Sequence, residues 1–252
     1  MVSKIPVIDG ETRTCSVMAA GFYPYLGELS TYHSAVFAVA DSVAKLACYG
    51  ADLSRIRLSF QEYFGKLKDN PKKWGEVSAA LLGALTAQMS LGTPSIGGKD
   101  SMSGTFEDLD VPPTFVSFAA STSELSKITT ASLQGGGSSL YLLETNLNEF
   151  LLPDFDLLKR NLKLISDGKF KSVSTVRNGG IAETLSNMAF GNMIGFSLDI
   201  SEEKLFIPMV GSFIVESDED LGEGFIKIGE TSDDGIIHYK DFNISLEELK
   251  KI

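Results

Sequence analysis

The chain has 252 residues, 43% of them apolar, so it is long enough for one large or two ordinary domains with real hydrophobic cores. Its net charge is −11, with 10 basic and 13 acidic side chains in residues 1–125 and 12 and 20 in residues 126–252, which repels polyphosphate backbones and argues against a nucleic-acid partner. The apolar run Ala35–Ala40 is far too short to span a bilayer, the N-terminus carries no signal-peptide pattern, and the two cysteines, Cys15 and Cys48, have no metal-ligand spacing; a cytoplasmic protein with two free thiols and no membrane partner is expected.

In chain order, a β-like run over 12–19 leads to a turn segment, Gly21-Phe22-Tyr23-Pro24-Tyr25-Leu26-Gly27, and then to a helix over 34–49 stopped by Gly50. Apolar residues surround that helix almost completely, which predicts a buried helix with a short polar ridge of Asp41, Ser42 and Lys45. A second helix is expected over 74–91, with Trp74, Val77, Leu81, Ala84, Leu85, Gln88 and Met89 at helical spacing and Trp74 in the core. Pro112-Pro113 then precedes a strand over 114–120. Serine, threonine and the Gly135–Gly137 run suggest a domain break near residue 126. Beyond it come a strand at 139–143, an amphipathic helix at 154–167, a strand at 173–176, a Gly179-Gly180 turn into a helix ending at Phe190, and strands at 195–200 and 211–216. This mixed order reads as α+β or α/β.

Between the second helix and the 114–120 strand lies Gly97-Gly98-Lys99-Asp100-Ser101-Met102-Ser103-Gly104-Thr105. Two adjacent glycines, a cation, a carboxylate and hydroxyls are the groups that hold a phosphate and a hard metal ion. The spacing is not the Walker pattern, and a tight glycine turn between strands is the structural alternative. The basic cluster Arg55, Arg57, Lys66, Lys68, Lys72 and Lys73 reads as a solvated face, with a phosphorylated ligand or acidic partner as the other reading.

The segment Gly97–Ser103 with Val111–Phe118 resembles phosphoribosylformylglycinamidine synthase of the large, single-chain type. Tyr32–Leu46, Ser59–Phe64, Ala79–Ala84 and Gly179–Leu185 carry the same resemblance. It implies the second synthetase half of a longer enzyme, with an aminoimidazole ribonucleotide synthase-like α+β fold. The β-rich N-terminal domain (1–125) pairs its sheet with that of another half, and an α/β layered C-terminal domain (126–252) follows. The family would place at least one strand before Thr12, so an open sheet edge and a homodimer through the N-terminal sheet are expected. The implied reaction is ATP-dependent: the amide of formylglycinamide ribonucleotide is activated as an iminophosphate and displaced by ammonia from glutamine. No segment here looks like the glutaminase, so the remaining domains, the glutaminase included, are the implied partners.

The resemblance also implies a nucleotide site for ATP or ADP with Mg²⁺. Gapless matching puts the early-strand acid on Thr14, keeps the helix acid as Asp41, turns the Asn one helical turn later into Lys45, and puts the acids before the glycine pair on Thr175 and Asn178. The nucleotide candidates are therefore Gly98, Lys99, Asp100, Ser101, Asp41, Lys45, Arg177, Gly179 and Gly180, and the metal candidates are Asp41 and Asp100. Lys45 and Arg177 would replace the metal's charge at phosphates. The structural alternatives are an i,i+4 ion pair for Asp41 and Lys45, a simple helix-starting turn for Gly179-Gly180, and a hydrogen-bonded structural role for His33. No catalytic residue is assigned. A degenerate structural or auxiliary half is the second expectation, and a free-standing kinase such as thiamine monophosphate kinase is the third.

Overall fold

The computed structural model describes residues 1–251. The chain folds as two compact units, Met1–Ser126 with Leu147–Ser166, and Lys127–Asn146 with Asp167–Ile252. The break therefore falls next to residue 126, and a twenty-residue excursion from the second half of the sequence belongs to the first unit.

The first unit contains β1 (Val2–Lys4), β2 (Thr14–Phe22), α1 (Pro24–Leu29), α2 (Thr31–Ala47), β3 (Arg57–Tyr63), α3 (Pro71–Leu91), β4 (Ser95–Ser101), β5 (Thr105–Phe106), β6 (Leu109–Asp110) and β7 (Thr114–Glu124). Its five-stranded sheet has the order β1-β2-β7-β3-β4, antiparallel except for the β3–β4 pair. The short β1 pairs with Cys15–Val17 on β2, so β2 is not the open edge that the sequence suggests. The turn expected over 21–27 is instead the end of β2 followed by α1, which Pro24 starts at its first position. The second helix begins at Pro71, three residues before Trp74, because Asn70 Oδ1 accepts from the Lys72 and Lys73 amides and Pro71 suits the first helical position. Gly92, at φ +69°, ends it.

α2 packs on β2 and β7, and α3 packs on α2. As expected, α2 is buried nearly all round. α3 departs from the expectation: its buried residues are Val77, Ala80, Gly83, Ala84 and Ala87, while Trp74 is 51% exposed and Leu81, Leu85 and Met89 face outward. The small residues win because the two helices approach closely; a Cβ on Gly83 would lie 2.2 Å from the Tyr32 carbonyl oxygen. Cys15 and Cys48 are buried, and the Cys48 thiol donates to the Ala44 carbonyl at 3.5 Å. His33 is hydrogen-bonded at both ring nitrogens, to Ser30 Oγ (2.8 Å) and to the Phe150 carbonyl (3.0 Å).

α4 (Phe155–Asp167) buries Leu158, Asn161, Leu162 and Ile165, and Ser166 Oγ donates to the Ala51 carbonyl at 2.7 Å.

The second unit contains β8 (Ser139–Leu143), β9 (Ser172–Thr175), α5 (Gly180–Phe190), β10 (Gly195–Leu198), β11 (Phe213–Ser217), β12 (Phe225–Ser232), β13 (Ile236–Tyr239), β14 (Phe242–Ser245) and α6 (Leu246–Leu249). Its seven-stranded sheet runs β14-β13-β10-β12-β8-β11-β9. Ile181, Leu185 and Met188 of α5 pack on Leu140, Leu142, Phe196, Ile214 and Ile228.

On the β13–β14 hairpin, His238 meets Asp234 Oδ2 at 2.7 Å through Nε2 and Asn243 Oδ1 at 2.6 Å through Nδ1. Its hydrogen bond to Asp234 raises the imidazole pKa above the ordinary 6.5, and hydrogen bonds from Ser232 and His238 hold the Asp234 carboxyl down at about 2. The His238 contribution is complete below pH 6.5 and lost as pH rises through the raised value. The Asp234 contribution is complete above 3.8 and lost as pH falls towards about 2. The protection factors of the hairpin amides, taken relative to the intrinsic exchange rate at each pH, should therefore be highest between about pH 4 and 6.5, and Asp234→Asn should flatten that profile; an unchanged profile would refute the pairing.

Candidate functional site

Asp41, Lys45 and Gly98–Ser101 lie in the first unit, and Arg177, Gly179 and Gly180 in the second. The glycine-rich segment expected as a loop is an edge strand. In β4, Gly98, Lys99 and Asp100 lie opposite Phe60, Gln61 and Glu62 of β3. A strand alternates its side chains, so Asp100 shares the helix-covered face of the sheet with Glu62 while Lys99 lies with Gln61 on the open face. The two residues that a loop would bring together therefore point apart. Gly98 has a packing reason, since a Cβ there would sit 2.5 Å from the Phe60 carbonyl oxygen. Lys99 Nζ donates to the Asp100 carbonyl at 3.0 Å. The Ser101 carbonyl accepts from the Phe64 amide at 2.8 Å, fixing the end of the motif.

Asp41 and Lys45 make the i,i+4 pair at 2.7 Å, and Lys45 Nζ also donates to the Ala20 carbonyl on β2 at 2.8 Å. Burial first, and the Asp41 charge second, push the Tyr23 phenol well above its usual 10. The expected metal pair does not fit Mg²⁺. Lys45 holds the Asp41 carboxylate against β2, whereas Asp100 is on β4, three strand spacings or roughly 14 Å across the sheet. Among the described residues, no three His, Cys, Asp or Glu side chains gather closely enough to hold a metal ion. Thr14 and Thr175, where acids were expected, sit on β2 and β9.

The glycine pair is built into the α5 start. Gly179 N donates to Glu183 Oε2 at 2.6 Å, Gly180 N to the Arg177 carbonyl at 2.9 Å, and Ala182 N to the Leu205 carbonyl at 2.9 Å. Gly180 has φ +74°, and a Cβ there would lie 2.4 Å from the Leu205 oxygen, so both its conformation and its surroundings require glycine. The Glu183 carboxylate thus puts a negative charge of the chain's own at this helix end, and it lies 3.9 Å from the Arg177 guanidinium.

In the basic cluster, Lys73 Nζ binds Asp110 Oδ2 at 2.5 Å and Arg55 binds Asp52 at 3.2 Å. A depression of about 260 Å³ joins Lys66, Lys68 and Lys73 to Glu107, Asp108 and Asp110, so its charge is mixed. Lys73 and Thr105, by hydrogen bonds, hold the Asp110 carboxyl below its usual range.

Glu62 escaped the sequence reading. It is 5% exposed on β3, and burial first, with the Asp100 charge second, pushes its carboxyl up to about 7. The alternation Leu58-Phe60-Glu62 on a half-buried strand is the signal that reveals it.

The open face of the first sheet carries Met18, Ala20, Phe22, Phe118 and Ala120, around an apolar depression of about 540 Å³ reaching Met1 and Ile96. Met18 lies opposite Ala120, and Ala20 opposite Phe118.

The mixed α+β units are of the aminoimidazole ribonucleotide synthase-like fold class, and the comparisons agree with that class. No family model matches the chain. It is 25% identical over 261 residues to the phosphoribosylformylglycinamidine synthase subunit PurL of Thermoplasma volcanium, covering 90% of this chain and 33% of the relative. Thermotoga maritima PurL complexed with ATP superposes with a TM-score of 0.75 at 12% identity, over 94% of this chain and 44% of that one. Thiamine monophosphate kinase of Aquifex aeolicus superposes with a TM-score of 0.60 at 10% identity, over 92% and 89%. The chain thus spans about a third of the length of the curated relative.

Proposed function

We propose that this chain is the second synthetase half of a PurL-type, ATP-dependent ligase of purine biosynthesis, converting formylglycinamide ribonucleotide and glutamine-derived ammonia to formylglycinamidine ribonucleotide in the cytoplasm. Within that enzyme it serves chiefly as the partner half whose sheet completes a barrel. The observation that carries this reading is the open apolar face around Met18 and Phe118, opposite a face already covered by α2. Its partners are the other domains of the parent enzyme, the glutaminase domain included, and alone it forms a homodimer through the same face.

The chemistry of the candidate nucleotide residues supports a supporting role. A phosphate site needs converging cations or free helix amides, and the Mg²⁺ that accompanies it is held by one or two carboxylates together with the phosphates themselves. Lys45 is spent on Asp41 and Ala20, Glu183 caps the α5 start, and Lys99 and Asp100 lie on opposite faces of β4. Calorimetric titration with ADP and ATP, each with and without Mg²⁺, should therefore give no binding heat. Micromolar binding that Lys99→Ala abolishes would overturn the scaffold reading in favour of a working nucleotide site, which the ATP complex of the neighbouring PurL makes the natural second reading.

A further inference from the structure

We infer that Glu62 and Asp100 form a site for one hard divalent cation, of the Mg²⁺ or Ca²⁺ class, at the outer edge of the first sheet. The pair differs from the expected set of Asp41 with Asp100, and it does not depend on nucleotide binding. Glu62 Oε2 is fully buried and has no hydrogen-bond partner, and the residue as a whole is 5% exposed. Asp100 is its register partner on the parallel neighbour β4, one strand spacing or roughly 4.8 Å away and on the same face. On the other side, its register partner on β7 is Phe115, which brings no charge. Asp100 is the charge that acts on the Glu62 carboxyl.

A buried oxygen without a donor beside a second carboxylate is unfavourable unless a positive charge joins them. A divalent ion supplies that charge and gives the orphaned oxygen a bond. Glu62 offers the ion an anchored inner ligand. Asp100, exposed on the edge strand, offers an outer one open to solvent. Magnesium usually keeps several of its waters and takes only one or two carboxylates from a protein, so Glu62 and Asp100 are its protein ligands here and water on the solvent side fills the remaining positions. The bound ion would also clip β4, which pairs on one side only, to β3.

The test is thermal unfolding of the whole chain at pH 8, with MgCl₂ or CaCl₂ raised against NaCl of equal ionic strength, in wild type, Glu62→Gln and Asp100→Asn. The wild type should gain melting temperature saturably with either divalent ion, and both variants should lose that gain. Glu62→Gln removes the buried charge at nearly unchanged shape, so it should fold and, without the ion, melt at or above the wild type. Electron paramagnetic resonance with Mn²⁺ gives an independent readout: free Mn²⁺ should fall when wild type is added and remain when Asp100→Asn is added. A wild type that does not respond up to about 10 mM, beyond the usual range of weak calcium sites, or equal responses in wild type and Glu62→Gln, would overturn the site and leave a proton on Glu62 as what relieves the pair.

Discussion

Gly21→Ala should destabilise the first unit by about 3 kcal/mol, because the added methyl has nowhere to go. A Cβ on Gly21 would lie 2.0 Å from the Ala38 carbonyl oxygen and 2.9 Å from the Ser42 amide nitrogen. Both are backbone atoms of α2, so no rotamer change relieves the overlap and the helix itself must lift from β2. Lifting it loosens Val17 and Ala119, which lie beneath α2, and stretches the Lys45 bond to the Ala20 carbonyl. Gly75→Ala is the matched control. Nothing lies within 4 Å of a Cβ at that position, and alanine in an exposed helix interior gains up to about 1 kcal/mol over glycine. Urea unfolding followed by circular dichroism should show the two alanine variants moving the midpoint in opposite directions. A Gly21→Ala midpoint within error of wild type would mean that α2 and β2 are not in such close contact.

The second large effect belongs to Glu216. It lies on β11, flanked by β8 and β9, and is 0% exposed. Both of its oxygens accept from the Gln134 amide, at 3.0 and 3.1 Å, and Oε2 also accepts from Ser172 Oγ at 2.6 Å. One buried carboxyl thus ties the segment before Gly135–Gly137 to the sheet edge. Glu216→Ala leaves a cavity and strips Ser172, itself fully buried, of its acceptor; a loss of about 3 kcal/mol from the second unit is expected. Glu216→Gln keeps the shape and one acceptor oxygen, so it should recover part of that loss. Scanning calorimetry of the three proteins checks the order wild type, Gln, Ala. Equal melting of the alanine variant and wild type would show that the carboxyl does not hold the loop.

What the sequence reveals and what it conceals follows from how each element gains its stability. α2 is legible because it is apolar nearly all round, and Asp41 and Lys45 stand out on it at ion-pair spacing. α3 misleads: its largest apolar residues make the more conspicuous stripe, yet its packing on α2 uses Ala80, Gly83, Ala84 and Ala87, whose smallness lets the backbones approach. Glycine, lysine and aspartate have poor strand propensity, so Gly98–Asp100 reads as a loop until β3 supplies a partner. Once it is a strand, alternation separates Lys99 from Asp100 and joins Asp100 to Glu62, an arrangement that composition alone does not express. β13 and β14 are hard to read from sequence because they are four residues each and owe their form to pairing within the seven-stranded sheet. At Gly179-Gly180 the motif was visible, but only the fold supplies the Glu183 carboxylate and the Leu205 carbonyl that make it a closed turn.

The proposal that this half exists to pair its sheet is tested most directly by sedimentation velocity of the purified chain over a hundredfold concentration range, beside Phe118→Asp. Phe118 is 45% exposed on the open face, so the variant should fold with unchanged circular dichroism while placing a charge in the middle of the paired surface. Wild type should pass from monomer to dimer as concentration rises, and Phe118→Asp should remain monomeric throughout. A wild type that stays monomeric at several hundred micromolar, or a variant that dimerises as well as wild type, would contradict the account.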